Sequence, residues 1–163
     1  MAKGGRPRQK SEYGLQLAEK QKIREEYGLR EKQFRRYFDK GQKPENIFSL
    51  LEFRLDSIVF AGGFTPTRRM ARQLISHGHM QVNGKKVTIA SYQVRPGDII
   101  TVKETSAVKG IFADYEIRVK NLNPPSWLVL DKKKKELKVK SLPDIKEQIQ
   151  PFNFQTVIEF YSR

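Results

Sequence analysis

The apolar positions of the chain change their period along its length, and each change predicts a new element. From Ser11, a side chain suited to an N-cap, Tyr13, Leu17, Ile23 and Tyr27 recur sparsely at helical spacing, and Gly28 can end the helix. A second helix is predicted over about Arg30 to Asp39, with Phe34, Tyr37 and Phe38 on one face and Arg35 and Arg36 between them; Gly41 and Pro44 read as linker. Ile47, Leu50, Leu51, Leu55, Ile58 and Val59 then follow at three-and-four spacing, which predicts one continuous buried stripe ended by Gly62-Gly63. Thr65-Pro66 reads as N-cap and first residue of the next helix, which runs to about His77 before Gly78. Met70, Ala71, Leu74 and Ile75 share one side of it, and Arg68, Arg69, Arg72, Gln73 and Ser76 share the other.

After Gly78 the period becomes two. His79 to Val82 alternates, Asn83-Gly84 is a type I′ hairpin turn, and Lys85 to Ile89 returns. Arg95-Pro96-Gly97-Asp98 is a second tight turn, feeding a strand over Ile99–Val102. Short alternating segments at Tyr115–Val119, Trp127–Leu130 and Leu137–Val139 predict further antiparallel strands, with Lys132–Lys135 as a turn. The closing Val157–Arg163 is apolar enough to dock. No internal repeat emerges. The expected architecture is α+β. A basic extension over 1–10 precedes a helical part over 11–46, completed by 143–163. A domain over 47–142 sets two helices on a small antiparallel sheet.

Charge narrows the function. Lys plus Arg number 32 against 18 Asp plus Glu in 163 residues, a net +14, while the hydrophobic fraction is 37%. So large an imbalance repels itself in a compact state, and a polyanion relieves it. Nucleic acid is favoured over a membrane surface, because the apolar faces are sized for a core rather than for a bulky exposed stripe. The chain has no cysteine, which removes disulfides, thiol nucleophiles and thiolate zinc sites. No apolar run is long enough to span a bilayer. Residues 1–10, with Arg6, Arg8 and Lys10, lack the apolar core of a signal peptide and are expected to order on a partner. A cytoplasmic protein, or one made inside an organelle, is expected.

The basic helix face and the hairpin tip, with Asn83, Gly84, Lys85 and Lys86, predict a concave positive surface suited to folded RNA. The helix N-terminus, free of carboxylates, adds to it. Charge reversal at Arg68 and Arg72 is expected to cut RNA affinity without unfolding the chain. His77 and His79 lack further ligands nearby, so a polar pair at a helix end is favoured over a metal site. Helical spacing favours core packing over base stacking for Phe34, Tyr37 and Phe38. Lys132–Lys135 stays open between a solvated turn and an RNA contact. Neither a nucleophile with its base nor a phosphate-cradling loop is found, so no catalytic residue, cofactor, metal or small-molecule substrate is expected.

Leu51-Glu52-Phe53-Arg54-Leu55-Asp56, Gly63-Phe64-Thr65-Pro66-Thr67-Arg68, Ala71 to His79, Val82-Asn83-Gly84 and Arg95-Pro96-Gly97-Asp98 closely resemble the S-four RNA-binding domain. That module also occurs in tRNA synthetases, pseudouridine synthases and heat-shock RNA binders. The flanks (Glu12 to Leu17, Glu19 to Lys22, Lys32 to Phe38, Pro125–Asp131, Leu142-Pro143-Asp144 and Val157–Arg163) resemble the small-subunit ribosomal S-four family, leaving only about Thr105 to Leu122 poorly matched. The resemblance implies binding of small-subunit rRNA early in assembly and folding of the subunit body. It also implies a position near the messenger RNA entry channel and contact with the fifth small-subunit protein in a region tied to decoding accuracy. Arg68, Arg72, Gln73, His77, His79, Asn83, Gly84 and Lys85 match the family's basic helix and hairpin. Arg6, Arg8 and Lys10 match its basic N-terminal segment loosely. Lys20, Lys22, Arg35, Arg36, Arg54, Thr67, Arg69, Ser76 and Lys86 complete the expected RNA-facing set. The cysteine-rich zinc knot of many bacterial relatives is missing, which predicts no zinc. Two other classes remain: a free-standing RNA-binding factor, which leaves both flanks unexplained, and an RNA-modifying enzyme, for which no segment is long enough to hold a catalytic domain.

Overall fold

The computed structural model describes residues 4–5, 9, 11–107, 110–148 and 151–163. Arg6, Arg8 and Lys10 lie outside the described residues. Helix α1, Glu12–Tyr27, opens where the Ser11 side chain accepts from the Gly14 N–H at 3.1 Å. It closes on a left-handed Gly28 (φ 64°), with Gly28 N bonded to the Glu25 carbonyl and Leu29 N to that of Arg24. Only a residue at ease with positive φ makes this paired closure, and it turns the buried Leu29 back onto the helix. Helix α2, Glu31–Gly41, buries Phe34 and Phe38, so these rings are core.

The stripe from Ile47 to Val59 is two helices, not one. Pro44, read from the sequence as linker, is the first residue of α3, Pro44–Glu52; α4 is Leu55–Ala61. At the break Arg54 is extended (ψ 139°) and bridges Gln93. The 90–94 segment takes up the hydrogen bonds a continuous helix would make. Leu55 N donates to the Tyr92 carbonyl, Asp56 N to that of Ala90, and Val94 N to that of Phe53. Long-range pairing thus overrides a helical pattern that holds no Gly or Pro at the break.

Helix α5 is Arg68–Ser76. Its N-cap is Thr67, whose hydroxyl accepts from Met70 N; Thr65 instead sits buried and donates to the Thr67 carbonyl, so the helix starts later than Thr65-Pro66 suggests. Ala71, Leu74 and Ile75 are buried as expected, whereas Met70 is 44% exposed. Strands β1, Met80–Val82, and β2, Lys85–Lys86, flank Asn83 (φ 51°) and Gly84 (φ 79°), a two-residue turn with both residues left-handed. The return strand is only these two residues and stops short of Ile89. Strand β3 is Ile99–Val102; β4 is Leu128–Asp131; β5 is Glu136–Val139. They form one antiparallel sheet in the order β2-β1-β3-β5-β4. Its inward residues Met80, Val82, Ile100, Leu137 and Val139 join a core shared with α4 and α5.

Tyr115–Val119 is helix α7 and not a strand; α6, Glu104–Ala107, and a 3-10 turn at Gly110–Phe112 precede it. Tyr115 and Val119 are buried one turn apart, while Ile117, which alternation would have buried with them, is 77% exposed. Tyr115 stacks on Phe64 at 5.6 Å, and Arg118 donates to the carbonyls of Gly63 and Phe64. The C-terminal helix α8, Phe154–Tyr161, packs on α1, α2 and α3 and places Phe154 against Phe38 and Phe48. The fold is thus α+β, with two helices on an antiparallel sheet.

Candidate nucleic-acid interface

The cations expected on the surface divide into two groups. Arg54 is 3% exposed and is not a surface contact. Its Nε and Nη2 hold Asp56 at 3.1 and 2.9 Å, and Nη1 donates to the Tyr37 hydroxyl at 2.7 Å. Burial opposes this guanidinium's charge, but the Asp56 hydrogen bonds and charge outweigh it and raise its pKa. Lys20 is likewise 6% exposed, donating to Glu31 at 2.8 Å beneath the Phe160 ring.

Arg68 and Arg72 face α1 rather than solvent. The Arg68 guanidinium lies 4.7 Å from the Tyr27 and Phe60 ring centroids, and Nη1 donates to the Glu26 carbonyl and carboxylate. Arg72 Nη1 donates to the carbonyls of Tyr27 and Gly28 at 3.2 and 2.7 Å, and sits 3.9 Å from Asp56. Both arginines therefore cap the negative end of the α1 dipole and clamp α5 to α1. Reversing their charges would set carboxylates beside Glu26, Glu52 and Asp56, so that experiment tests folding as much as RNA contact.

A second group remains open to solvent. Arg69, Gln73, Ser76 and His77 lie exposed along α5, next to the inward Arg68 and Arg72, and Thr67 caps that helix from an exposed position. Gly78 turns the chain so that the Lys86 side chain lies about 3.1 Å from where a Gly78 Cβ would stand, which brings the hairpin alongside the end of α5. At the tip, Asn83 donates to Asp98 Oδ1 and accepts from Ile99 N, and this holds Gly84 and the exposed Lys85 and Lys86 in place. Half-buried His79 pairs a ring nitrogen with the Ser106 hydroxyl at 2.7 Å. No Asp or Glu occurs between Asp56 and Asp98, so α5 and the hairpin carry no carboxylate of their own, and Asp98 stands beside the tip on Asn83. Among the described residues, no group of three or more His, Cys, Asp or Glu is placed to hold a metal ion.

On α2, exposed Arg36 lines a concavity of about 220 Å³ with Gln33, Lys40, Ser91 and Gln93, floored by Arg54. Its lining carries no carboxylate. Gln33, Arg36 and Lys40 follow helical spacing and were open to sequence reading; Ser91 and Gln93, which complete the wall, reach it only through the bridge at Arg54. Arg35 lies 5.8 Å from the Tyr161 ring, and Lys22 lies 5.3 Å from the Phe152 ring. At the β4–β5 turn, Lys132, Lys133 and Lys134 are exposed, whereas Lys135 sits 5.5 Å from the Tyr115 ring.

Two family models match the chain: the "Ribosomal protein S4/S9 N-terminal domain" over residues 2–53 and the "S4 domain" over residues 53–100. The small ribosomal subunit protein uS4 of Aquifex aeolicus is 47% identical over 99% of this chain and 80% of its own length. That of Chlorobium limicola is 46% identical over 94% and 78%, and that of Brevibacillus brevis 45% identical over 96% and 80%. With both models placed end to end and relatives this similar across most of both lengths, the chain belongs to the family of small ribosomal subunit protein uS4.

Proposed function

We propose that this protein is a structural constituent of the small ribosomal subunit that binds the subunit's rRNA without turnover. The observation that carries this reading is the cationic surface from the outer face of α5 to the hairpin tip, built from a stretch with no acidic residue between Asp56 and Asp98. Arg69, Lys85 and Lys86 neutralise phosphates and release counterions. Gln73, His77 and Asn83 add hydrogen bonds, and the rigid helix–hairpin shape selects a folded junction. Arg36 with Lys40, and Arg35 with Lys22, extend the contact along the helical part. Arg6, Arg8 and Lys10 extend it beyond the described residues.

On the same reading, residues 1–10 are the basic extension, 11–46 with 143–163 the helical part, and 47–142 the RNA-binding domain. In this role it nucleates the subunit body and serves decoding accuracy, beside the messenger RNA entry channel and the fifth small-subunit protein. The ribosome, in the cytoplasm or an organelle, is the site of action.

The test is rRNA affinity as a function of salt for Arg69→Glu with Lys85→Glu and Lys86→Glu, three exposed positions. The slope of log affinity against log salt should become shallower by about 2 to 3 units, at roughly 0.9 per lost phosphate contact. An unchanged slope and affinity, with the native circular dichroism spectrum, would refute this interface.

A further inference from the structure

Of the chain's asparagines, only Asn83 is followed by glycine. Asn46, Asn121 and Asn153 precede Ile47, Leu122 and Phe154, and Asn123 precedes Pro124. A backbone N–H attacks the side-chain carbonyl carbon of the preceding asparagine most readily when its own residue has no Cβ to obstruct closure. A bulky side chain hinders that approach, and proline has no N–H to lose. Gly84 is unobstructed: a Cβ there would find nothing within 4 Å, and among the described residues no partner accepts from its N–H. Asn83 and Gly84 are both exposed, so water reaches the pair.

The electrophile, by contrast, is held at both ends. Asn83 Nδ2 donates to Asp98 Oδ1 at 2.9 Å, and Asn83 Oδ1 accepts from Ile99 N at 2.9 Å. To close a ring on Gly84 N, the carboxamide must swing away and break both bonds. Asp98 cannot follow it, because its Oδ2 accepts from Arg95 N at 2.8 Å within the next turn. The hairpin tip thus sets a free nucleophile beside a restrained amide.

We propose that Asn83 is a deamidation site that the Asp98 contact suppresses, and that its conversion opens the hairpin tip. The bond from Gly84 N to Asn83 Cγ forms, the Cγ–Nδ2 bond breaks, and the Gly84 proton leaves with Nδ2 as ammonia. Water then opens the cyclic imide at either carbonyl, giving aspartate or isoaspartate; nothing is oxidised or reduced. Aspartate puts a carboxylate oxygen where an N–H donor stood 2.9 Å from Asp98 Oδ1, and the two like charges repel. Isoaspartate lengthens the backbone inside a two-residue turn whose register pairs Val82 with Lys85. Asn83, Lys85 and Lys86 belong to the proposed RNA surface, but this chemistry needs no RNA, so its test contains none and can fail without that reading.

The full chain is incubated in mildly alkaline buffer, natively and in urea, then cut with pepsin in acid, where ring closure is slow. Mass spectrometry follows the conversion of amide to acid at Asn83, and chromatography separates isoaspartate from aspartate. Conversion should be slower in the native chain than in urea. Asp98→Ala should raise the native rate about threefold to tenfold, the equivalent of one hydrogen bond. Val157→Ala, buried in α8 away from the tip, should lower the urea midpoint and leave the native rate unchanged. The converted chain, isolated by ion exchange, should exchange the Val87 N–H faster, since that group donates across the hairpin to the Met80 carbonyl at 3.3 Å. A native rate equal to that in urea, an unchanged rate in Asp98→Ala, equal acceleration by Val157→Ala, or unchanged Val87 exchange would each overturn the proposal. Should Asp98→Ala lose the native circular dichroism spectrum, the native-to-urea ratio and Val87 exchange decide.

Discussion

Removing the Arg54 side chain tests whether the break between α3 and α4 rests on a buried ion pair. In Arg54→Met the chain keeps an apolar side chain of similar length, but Asp56, 0% exposed, loses both guanidinium hydrogen bonds. The Asp56 carboxylate then keeps Ser57 N at 2.7 Å and Arg72 at 3.9 Å, and nothing else charged that the structure places within 4 Å. An uncompensated buried carboxylate costs about 3 to 5 kcal/mol. The loss of the Tyr37 hydroxyl's partner adds about 1 kcal/mol, while Arg72 offsets a comparable amount. The expected loss is about 3 to 5 kcal/mol, much of the whole stability of an ordinary domain. Urea unfolding followed by circular dichroism measures it. Arg54→Met with Asp56→Leu should recover most of the loss, because replacing both partners removes the stranded charge. The RNA affinity of the folded fraction should match the parent protein. A single-variant loss under about 1 kcal/mol, or a double variant worse than the single, would refute the reasoning.

Three further outcomes follow from the same geometry. Burial raises the pKa of the Glu52 carboxyl, with Arg68 and the Tyr27 hydroxyl opposing it, so the folded chain keeps this proton to higher pH than the unfolded chain does. Its contribution is therefore complete below the ordinary carboxylate pKa and is lost as pH rises through the raised value. Glu52→Gln should flatten that decline in urea midpoint, and a parallel pH profile would contradict it. Arg68→Ala removes two ring contacts and the bond to the Glu26 carbonyl and should cost about 1 to 3 kcal/mol in thermal unfolding; a change under about 0.5 kcal/mol would mean that the clamp carries no stability. Gly84→Val sets a β-branched residue at φ 79° in open space, so strain alone should destabilise the hairpin by roughly 1 to 2 kcal/mol, read as faster hydrogen exchange at Val82 and Val87; unchanged exchange would count against the turn.

What was legible in the sequence was local. Ser11 and Gly28 bound α1 because each acts on backbone groups within four residues, and Asn83-Gly84 makes its turn by its own left-handed preference. Arg54 was illegible for the opposite reason: its extended conformation answers the 90–94 segment, which no helical period encodes. Tyr115 and Val119 satisfy both a strand's alternation and a helix's four-residue spacing, and packing on Phe64 decides for the helix. On α5, spacing separates the apolar face from the cationic one, yet it cannot say that α1 covers Arg68 and Arg72 while Arg69 and Gln73 stay open.

A protein built into the small ribosomal subunit stays with it at high salt. Cell extract is sedimented through high-salt gradients, and copies of this protein are counted per small subunit. One copy per subunit that survives the salt wash is the expected result. Loss into the free fraction, or well under one copy per subunit, would contradict it and leave a free-standing RNA-binding factor.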